Sequence, residues 1–304
     1  MNSPAEYLKK SPFSGQILLD APMKNRCTFK SGGPAETLVI PESLEDILIV
    51  RTLCAEKNIP LFILGGGANI LVSDKGIKGI TLSMEKMATV KQEDNTLICG
   101  AGLSVNAMVS EALERSLSGL EFLSRLPGSV GGALYMNARC YGAEVADIFD
   151  WAEVLTLDHK VKRIPFNKAD WAYKISPFQE EGLIILKGAF RLSPGEKSSI
   201  SSKMNEIALS RREKGHFRAP SAGSTFKNNR DFGKPSGQII DECGLKGLSL
   251  GGASVSDWHG NILINREGAS SEDISRLIIE VQNKVKEQTG FYLEPEVLRV
   301  GDWN

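Results

Sequence analysis

Two glycine clusters are the first places in this chain where residue type and spacing can do chemistry. LGGGAN (64–69) follows the apolar run Leu61–Leu64, and PGSVGG (127–132) repeats the theme further on. Without side chains, Gly65, Gly66, Gly67, Gly128, Gly131 and Gly132 can take positive φ. They can then turn several backbone N–H groups toward one point and form an anion nest. Asn69 and Ser129 offer side-chain donors beside them, and Ala68 completes the first loop. For either cluster alone, a tight turn is the competing reading. Two clusters, each flanked by apolar runs, favour a phosphate-bearing cofactor. Neither is a G-x-G-x-x-G opening a helix nor a GxxxxGK[ST] loop, so a dinucleotide held by a different fold is expected.

Three further segments carry reactive groups. Ser224 lies in SAGSTFKN (221–228), between small residues and close to Lys227 and Asn228, where a hydroxyl can donate a proton to a carbanion. It has no GxSxG context, and none of the three histidines has motif support as its base, so a hydrolase nucleophile is not indicated. An ordinary loop serine is the alternative. In LEPEV (293–297), Val297 and Leu298 suggest a strand entering the core, so either Glu294 or Glu296 points inward, as an ion-pair partner or as an acid. In YKISPF (173–178), Lys174 can pair with a carboxylate or be plain surface.

The elements that must position these groups follow from periodicity and caps. Ser43 caps a helix to about Lys57, which Asn58 and Pro60 end, and Leu61–Leu64 is a buried strand feeding the first loop. Short strands fall at Gly79–Leu82 and Thr96–Cys99. A helix follows Ser104, with Val105, Met108, Val109, Ala112 and Leu113 on one face. Strands are expected at Trp151–Leu157 and Leu183–Leu192, and helices at Ile200–Lys214, at Gln238–Cys243 and after Ser270 or Ser271. Two more strands lie at Gly251–Val255 and Asn261–Asn265. Residues 1–26 show little periodicity and read as an entry arm. The mixed order without strict alternation indicates α+β. The polar stretch Ser193–Ser202 places a boundary between residues 1–195, in subdomains of about 1–82 and 83–195, and residues 196–304.

Composition narrows the class. The chain has 304 residues, 41% hydrophobic and 24% charged, with 36 basic and 37 acidic side chains. That balance excludes a basic nucleic-acid or membrane-surface binder, and no run is long enough to span a membrane. The amino terminus lacks a secretory core, and five scattered cysteines without a CxxC pair suggest reduced thiols in the cytoplasm and no metal site.

Eight ordered blocks resemble the UDP-N-acetylenolpyruvoylglucosamine reductase family: CTFKSGGPAE (27–36), ILGGGANILVSDKGIKGI (63–80), GLEFLSRLPGSVGGALYMNA (119–138), YKISPF, SAGSTFKNN (221–229), GQIIDECGLKG (237–247), GGASVSDWHGNILIN (251–265) and LEPEV. The resemblance implies an FAD-binding fold of the vanillyl-alcohol-oxidase-like (PCMH) type. Residues 65–69, 128–132 and Asn137 would hold noncovalent FAD. A C-terminal α+β substrate domain would follow, its last strand returning toward the flavin. It also implies NADPH as co-substrate and a UDP-sugar as substrate, with Ser224 as proton donor and Glu296, rather than Glu294, as its acid partner.

Position 174 departs from the family's Tyr-Arg-x-Ser-x-Phe pattern, because Lys174 stands where arginine is usual. Arg125 and Arg139, each where a small residue is more common, are candidates to replace the lost guanidinium. The 46 residues between Phe178 and Ser224 leave no room for an inserted lid, which points to the shorter, type II form. Tyr173, Arg212, Lys227 and Asn228 are then candidate substrate-binding residues. A monomer, or a weak homo-oligomer, is expected. The competing readings are an FAD oxidoreductase acting on another alcohol or sugar, and a flavin- or sugar-nucleotide-binding protein without activity.

Overall fold

The computed structural model describes residues 3–303. The chain forms two compact units that interleave in sequence. Among the described residues the first comprises 3–18, 37–66 and 79–210, and the second 19–36, 67–78 and 211–303.

In the first unit, a five-stranded antiparallel sheet runs in the order Val161–Pro165, Phe149–Leu155, Ile184–Arg191, Thr96–Gly100, Val90–Glu93. The central strand Ile184–Arg191 reads as a nearly continuous apolar run because both of its faces are covered. The helix Val105–Glu114, capped by the Ser104 hydroxyl, buries Val105, Met108, Val109 and Ala112 as its spacing predicts. Leu61–Leu64 pairs in parallel with the strand Ile77–Ser83, and the N–H of Met84 donates to Leu64 O just before the first glycine cluster. That strand therefore aims the cluster. One core, from Leu8 to Leu192, fills this unit.

The second unit has its own core, which includes Phe29, Leu71, Phe226, Ile240 and Val281. Its long helix Ser271–Thr289 starts in a capping box between Ser270 and Asp273 and ends at Gly290, whose φ is 80°. The predicted stripe Ile274, Leu277, Ile278, Val281 and Val285 is buried, each side chain contributing about 1.5–3 kcal/mol. Ser249–Leu250, Ala253–Val255 and Leu263–Asn265 form its small antiparallel sheet. The final strand, Leu298–Val300, pairs in parallel with Ile70–Val72, directly after the first glycine cluster.

The helices and strands give the expected α+β class. Residues 1–26 are not a featureless arm: Pro4–Lys9 is helical with Ala5 and Leu8 buried, and Gln16–Pro22 is a strand. A helix of 6 residues is too short to show a repeat. No helix among the described residues is long and apolar enough to cross a membrane.

Candidate functional site

The two glycine clusters meet in the first unit, and the contact explains the glycines better than backbone freedom does. Only Gly67 (φ 62°) and Gly128 (φ 121°) take positive φ, while Gly65, Gly66, Gly131 and Gly132 do not. What those four share is crowding or helix geometry. A Cβ on Gly66 would lie 2.5 Å from Gly128 Cα and 2.8 Å from Ser129 N, and one on Gly65 would lie 2.6 Å from Ser129 Oγ. Gly131 lies against Ala101, to whose carbonyl its N–H donates at 2.8 Å. Gly131 and Gly132 belong to the helix Val130–Tyr135, capped by the Ser129 hydroxyl, which accepts from Gly132 N. The nest is therefore smaller than the glycine count suggests. The amides of Gly65, Gly66, Gly128 and Ser129 have no acceptor among the described residues, and Gly65 and Gly66 are exposed.

Also in the first unit, Ala172 and Ile175 exchange both backbone hydrogen bonds, so Tyr173 and Lys174 form the tip of a tight turn. Lys174 adopts φ 61°, a left-handed conformation costly for a side-chain-bearing residue. Gln179 Nε2 donates to Lys174 O at 2.9 Å, and Ser176 Oγ donates to Tyr135 O at 2.8 Å. Two cations flank the Tyr173 ring: Lys174 Nζ and Arg139 Cζ each lie 5.8 Å from its centroid. Arg125 is exposed with φ 60° in the segment before Gly128.

Asn137, expected among the cofactor residues, is buried. It is 0% exposed; its Nδ2 donates to Ala172 O at 2.9 Å and its Oδ1 accepts from Ala146 N at 3.0 Å. A side chain sealed from solvent and engaged at both ends positions the Tyr173 turn.

The second unit assembles the other reactive segments. The Ser224 and Glu296 segments lie side by side: Lys227 N donates to Glu294 O, Glu296 N donates to Thr225 O at 2.7 Å, and Phe226 bridges Pro295. Asn69, expected as a cofactor donor, gives its Nδ2 to Glu296 O at 3.1 Å, and its carbonyl accepts from Leu298 N. The residue closing the first glycine cluster thus fixes the Glu296 segment and the strand that follows it. Gly67, packed against the Arg26 carbonyl, accepts from Thr28 N through its own carbonyl. Ala68 is half-buried between Gly67 and Asn69.

Of the two carboxylates, Glu294 is exposed and pairs with Lys227 at 2.6 Å, while Glu296 is half-buried. Asn228 Oδ1 accepts from Ser236 N, and Arg212 is exposed in the last turn of the helix Lys197–Glu213.

Two features escaped the sequence reading. Asn261, buried, accepts from Phe226 N and donates to Phe226 O, both at 2.8 Å, and so locks the segment that carries Ser224. The only sign of it was its place in the block 251–265, which carries no chemical signal. His216 and His259, far apart in sequence, have ring centroids 6.4 Å apart. Burial, then the Arg211, His259 and Lys214 charges, push His216 down to about 4, and burial also lowers His259. Asn261 N donates to His259 Nδ1, which leaves Nε2 to carry the proton of the neutral ring.

The FAD binding domain family matches residues 35–164, and the UDP-N-acetylenolpyruvoylglucosamine reductase C-terminal domain family matches residues 215–300. UDP-N-acetylenolpyruvoylglucosamine reductase of Treponema denticola is 42% identical over 322 residues, covering 100% of both chains. The Borreliella burgdorferi reductase is 43% identical over 282 residues, covering 92% of this chain and 93% of the relative. This chain belongs to the UDP-N-acetylenolpyruvoylglucosamine reductase family. Among solved structures, the family's Thermus caldophilus reductase superposes with a TM-score of 0.78 at 30% identity, covering 95% of this chain and 99% of that one.

As a member of the UDP-N-acetylenolpyruvoylglucosamine reductase family, the chain is an FAD-dependent oxidoreductase with an α+β FAD-binding fold of the expected kind. The first unit fits such a cofactor. Amides without protein acceptors and a surface where a Cβ cannot be added suit a phosphate-bearing group pressed against backbone. Cys54 and Cys99 are poor nucleophiles there: burial pushes Cys54 up to about 11 and Cys99 up to about 12.

Proposed function

We propose that this chain reduces UDP-N-acetylglucosamine enolpyruvate to UDP-N-acetylmuramate in peptidoglycan precursor synthesis, in the cytoplasm and as a monomer, using NADPH. Residues 1–195 serve chiefly the cofactor and residues 196–304 the substrate. The observation that carries this reading is the backbone pairing of the Ser224 segment with the Glu296 segment, tied by Asn69 to the end of the glycine cluster. Such rigid placement is what a proton donor and its acid partner require.

FAD, when bound, supplies hydride transfer, from NADPH in the first half-reaction and to the enolpyruvyl methylene carbon in the second. The adjacent carbon then gains negative charge that spreads into the carboxylate. Ser224 delivers the proton to that carbon, Glu296 stabilises the charged carboxylate as an acid, and Lys174 supplies positive charge. Gly65, Gly66, Gly128 and Ser129 offer N–H groups to the FAD pyrophosphate. Tyr173, Arg212, Lys227 and Asn228 receive the sugar nucleotide.

The test is anaerobic. NADPH-reduced holoenzyme should be reoxidised stoichiometrically by UDP-N-acetylglucosamine enolpyruvate, with UDP-N-acetylmuramate as product. A yellow protein whose reduced flavin ignores that compound would overturn the substrate assignment. Protein that takes up no FAD would remove the flavin reading as well.

A further inference from the structure

Two cations meet at one aromatic ring in the first unit, and only one of them is a guanidinium. We propose that Arg139 receives the carboxylate of the substrate through its two-pronged N–H fork, with Lys174 as a second, movable charge beside it. The inference rests on the reaction proposed above, whose substrate carries a carboxylate.

Both side chains lie 5.8 Å from the Tyr173 centroid, which places the two cations at one ring. A planar guanidinium holds a carboxylate by two parallel hydrogen bonds; an ammonium on a flexible stem does not fix its orientation. Arg139 is held for this task. It sits in a short hairpin, Arg139–Cys140 against Ala143–Glu144, opposite Glu144. The Glu144 carboxylate approaches its guanidinium to 3.8 Å, close enough to orient it but beyond hydrogen-bond range, so this ion pair does not occupy the fork. The tip of the hairpin is tied by Tyr141 OH to Ser210 Oγ at 3.2 Å.

The decisive link is Asn137. One buried amide accepts from Ala146, just beyond the Arg139 hairpin, and donates to Ala172, at the base of the Tyr173–Lys174 turn. The two cation-bearing turns are thereby fixed to each other, as expected if both address one anion.

The experiment compares two probes on oxidised holoenzyme by calorimetry: UDP-N-acetylglucosamine enolpyruvate, and UDP-N-acetylglucosamine, which lacks the carboxylate. Arg139→Ala should weaken the first by about 30-fold or more, the loss of a charged hydrogen-bonding group, and leave the second within about twofold. In the Lys174→Arg background, where a guanidinium stands at the same ring, Arg139→Ala should cost much less. Flavin content and melting temperature check that each variant is folded. Equal weakening of both probes assigns Arg139 a general structural role and overturns the proposal, and so does no weakening of either. If wild-type enzyme binds UDP-N-acetylglucosamine but gains nothing from the enolpyruvyl group, the underlying reading of the substrate fails and takes this inference with it.

Discussion

The glycine contact gives the sharpest test, because neighbouring glycines should respond in opposite ways. In Gly66→Ala the new Cβ would sit 2.5 Å from Gly128 Cα and 2.6 Å from Gly128 C. Normal carbon–carbon contact is roughly 3.5–4.0 Å, so one of the loops must retreat by about 1 Å. Overpacking of that kind costs about 1–3 kcal/mol. At roughly 2–4 °C per kcal/mol, the melting temperature of the FAD-free protein should fall by about 2–12 °C. The displaced amides should also weaken FAD binding. Gly132→Ala is the control: its Cβ meets only Ser129 Oγ, at 3.5 Å, and it sits in a helix, where alanine is favoured by about 0.5–1 kcal/mol. The FAD-free Gly132→Ala protein should be at least as stable as wild type. Scanning calorimetry of FAD-free protein and fluorescence titration of FAD read the two effects separately. If Gly132→Ala is stable but loses FAD, that glycine is there for the cofactor. If Gly66→Ala melts and binds FAD like wild type, the loop–loop contact is not what requires glycine, and the reasoning fails.

Ser224→Ala should slow reoxidation of reduced flavin by the enolpyruvyl substrate by about 10²–10⁴-fold and leave flavin reduction by NADPH unchanged, as stopped-flow absorbance at the flavin band will show. Asn137→Ala strands the buried Ala172 carbonyl and Ala146 amide and should cost about 2–5 kcal/mol in denaturant unfolding, with KM for the enolpyruvyl substrate raised. His216 is held neutral in the fold, with a folded value of about 4 against an ordinary 6.5. The unfolded chain therefore takes up the proton first, and the stabilisation is full above about 6.5 and lost as pH falls toward 4. Denaturant midpoints for His216→Gln should fall less steeply across that window than those of wild type.

Much of the scaffold was legible because its signals are local. Ser43 caps the helix it was expected to cap, and Ser104 and Ser270, expected to precede or to be one of two residues preceding their helices, cap theirs, since a hydroxyl reaching an N–H three residues on is a property of the sequence itself. The stripe from Ile274 to Val285 is likewise written in its spacing. The amino-terminal helix was not legible because six residues are too few to show a helical repeat, and the strand Gln16–Pro22 because it buries only Ala21 and so carries no alternation.

The sequence by itself determined the chemistry-bearing residue types, the α+β class and, through eight ordered blocks, the family. The tertiary structure decided what each polar atom has left to offer. Asn69 and Asn137 look alike as donors in sequence; in the fold one holds the Glu296 segment and the other ties two turns together. Four of the six glycines serve close approach or helix packing and not positive φ. Arg139 reaches Tyr173, and His216 reaches His259, across sequence gaps that carry no pattern. The reason is physical. Which donor finds an acceptor depends on through-space distances of a few ångströms, which are set by strands and turns packing from distant parts of the chain, whereas caps and stripes depend only on neighbours along it.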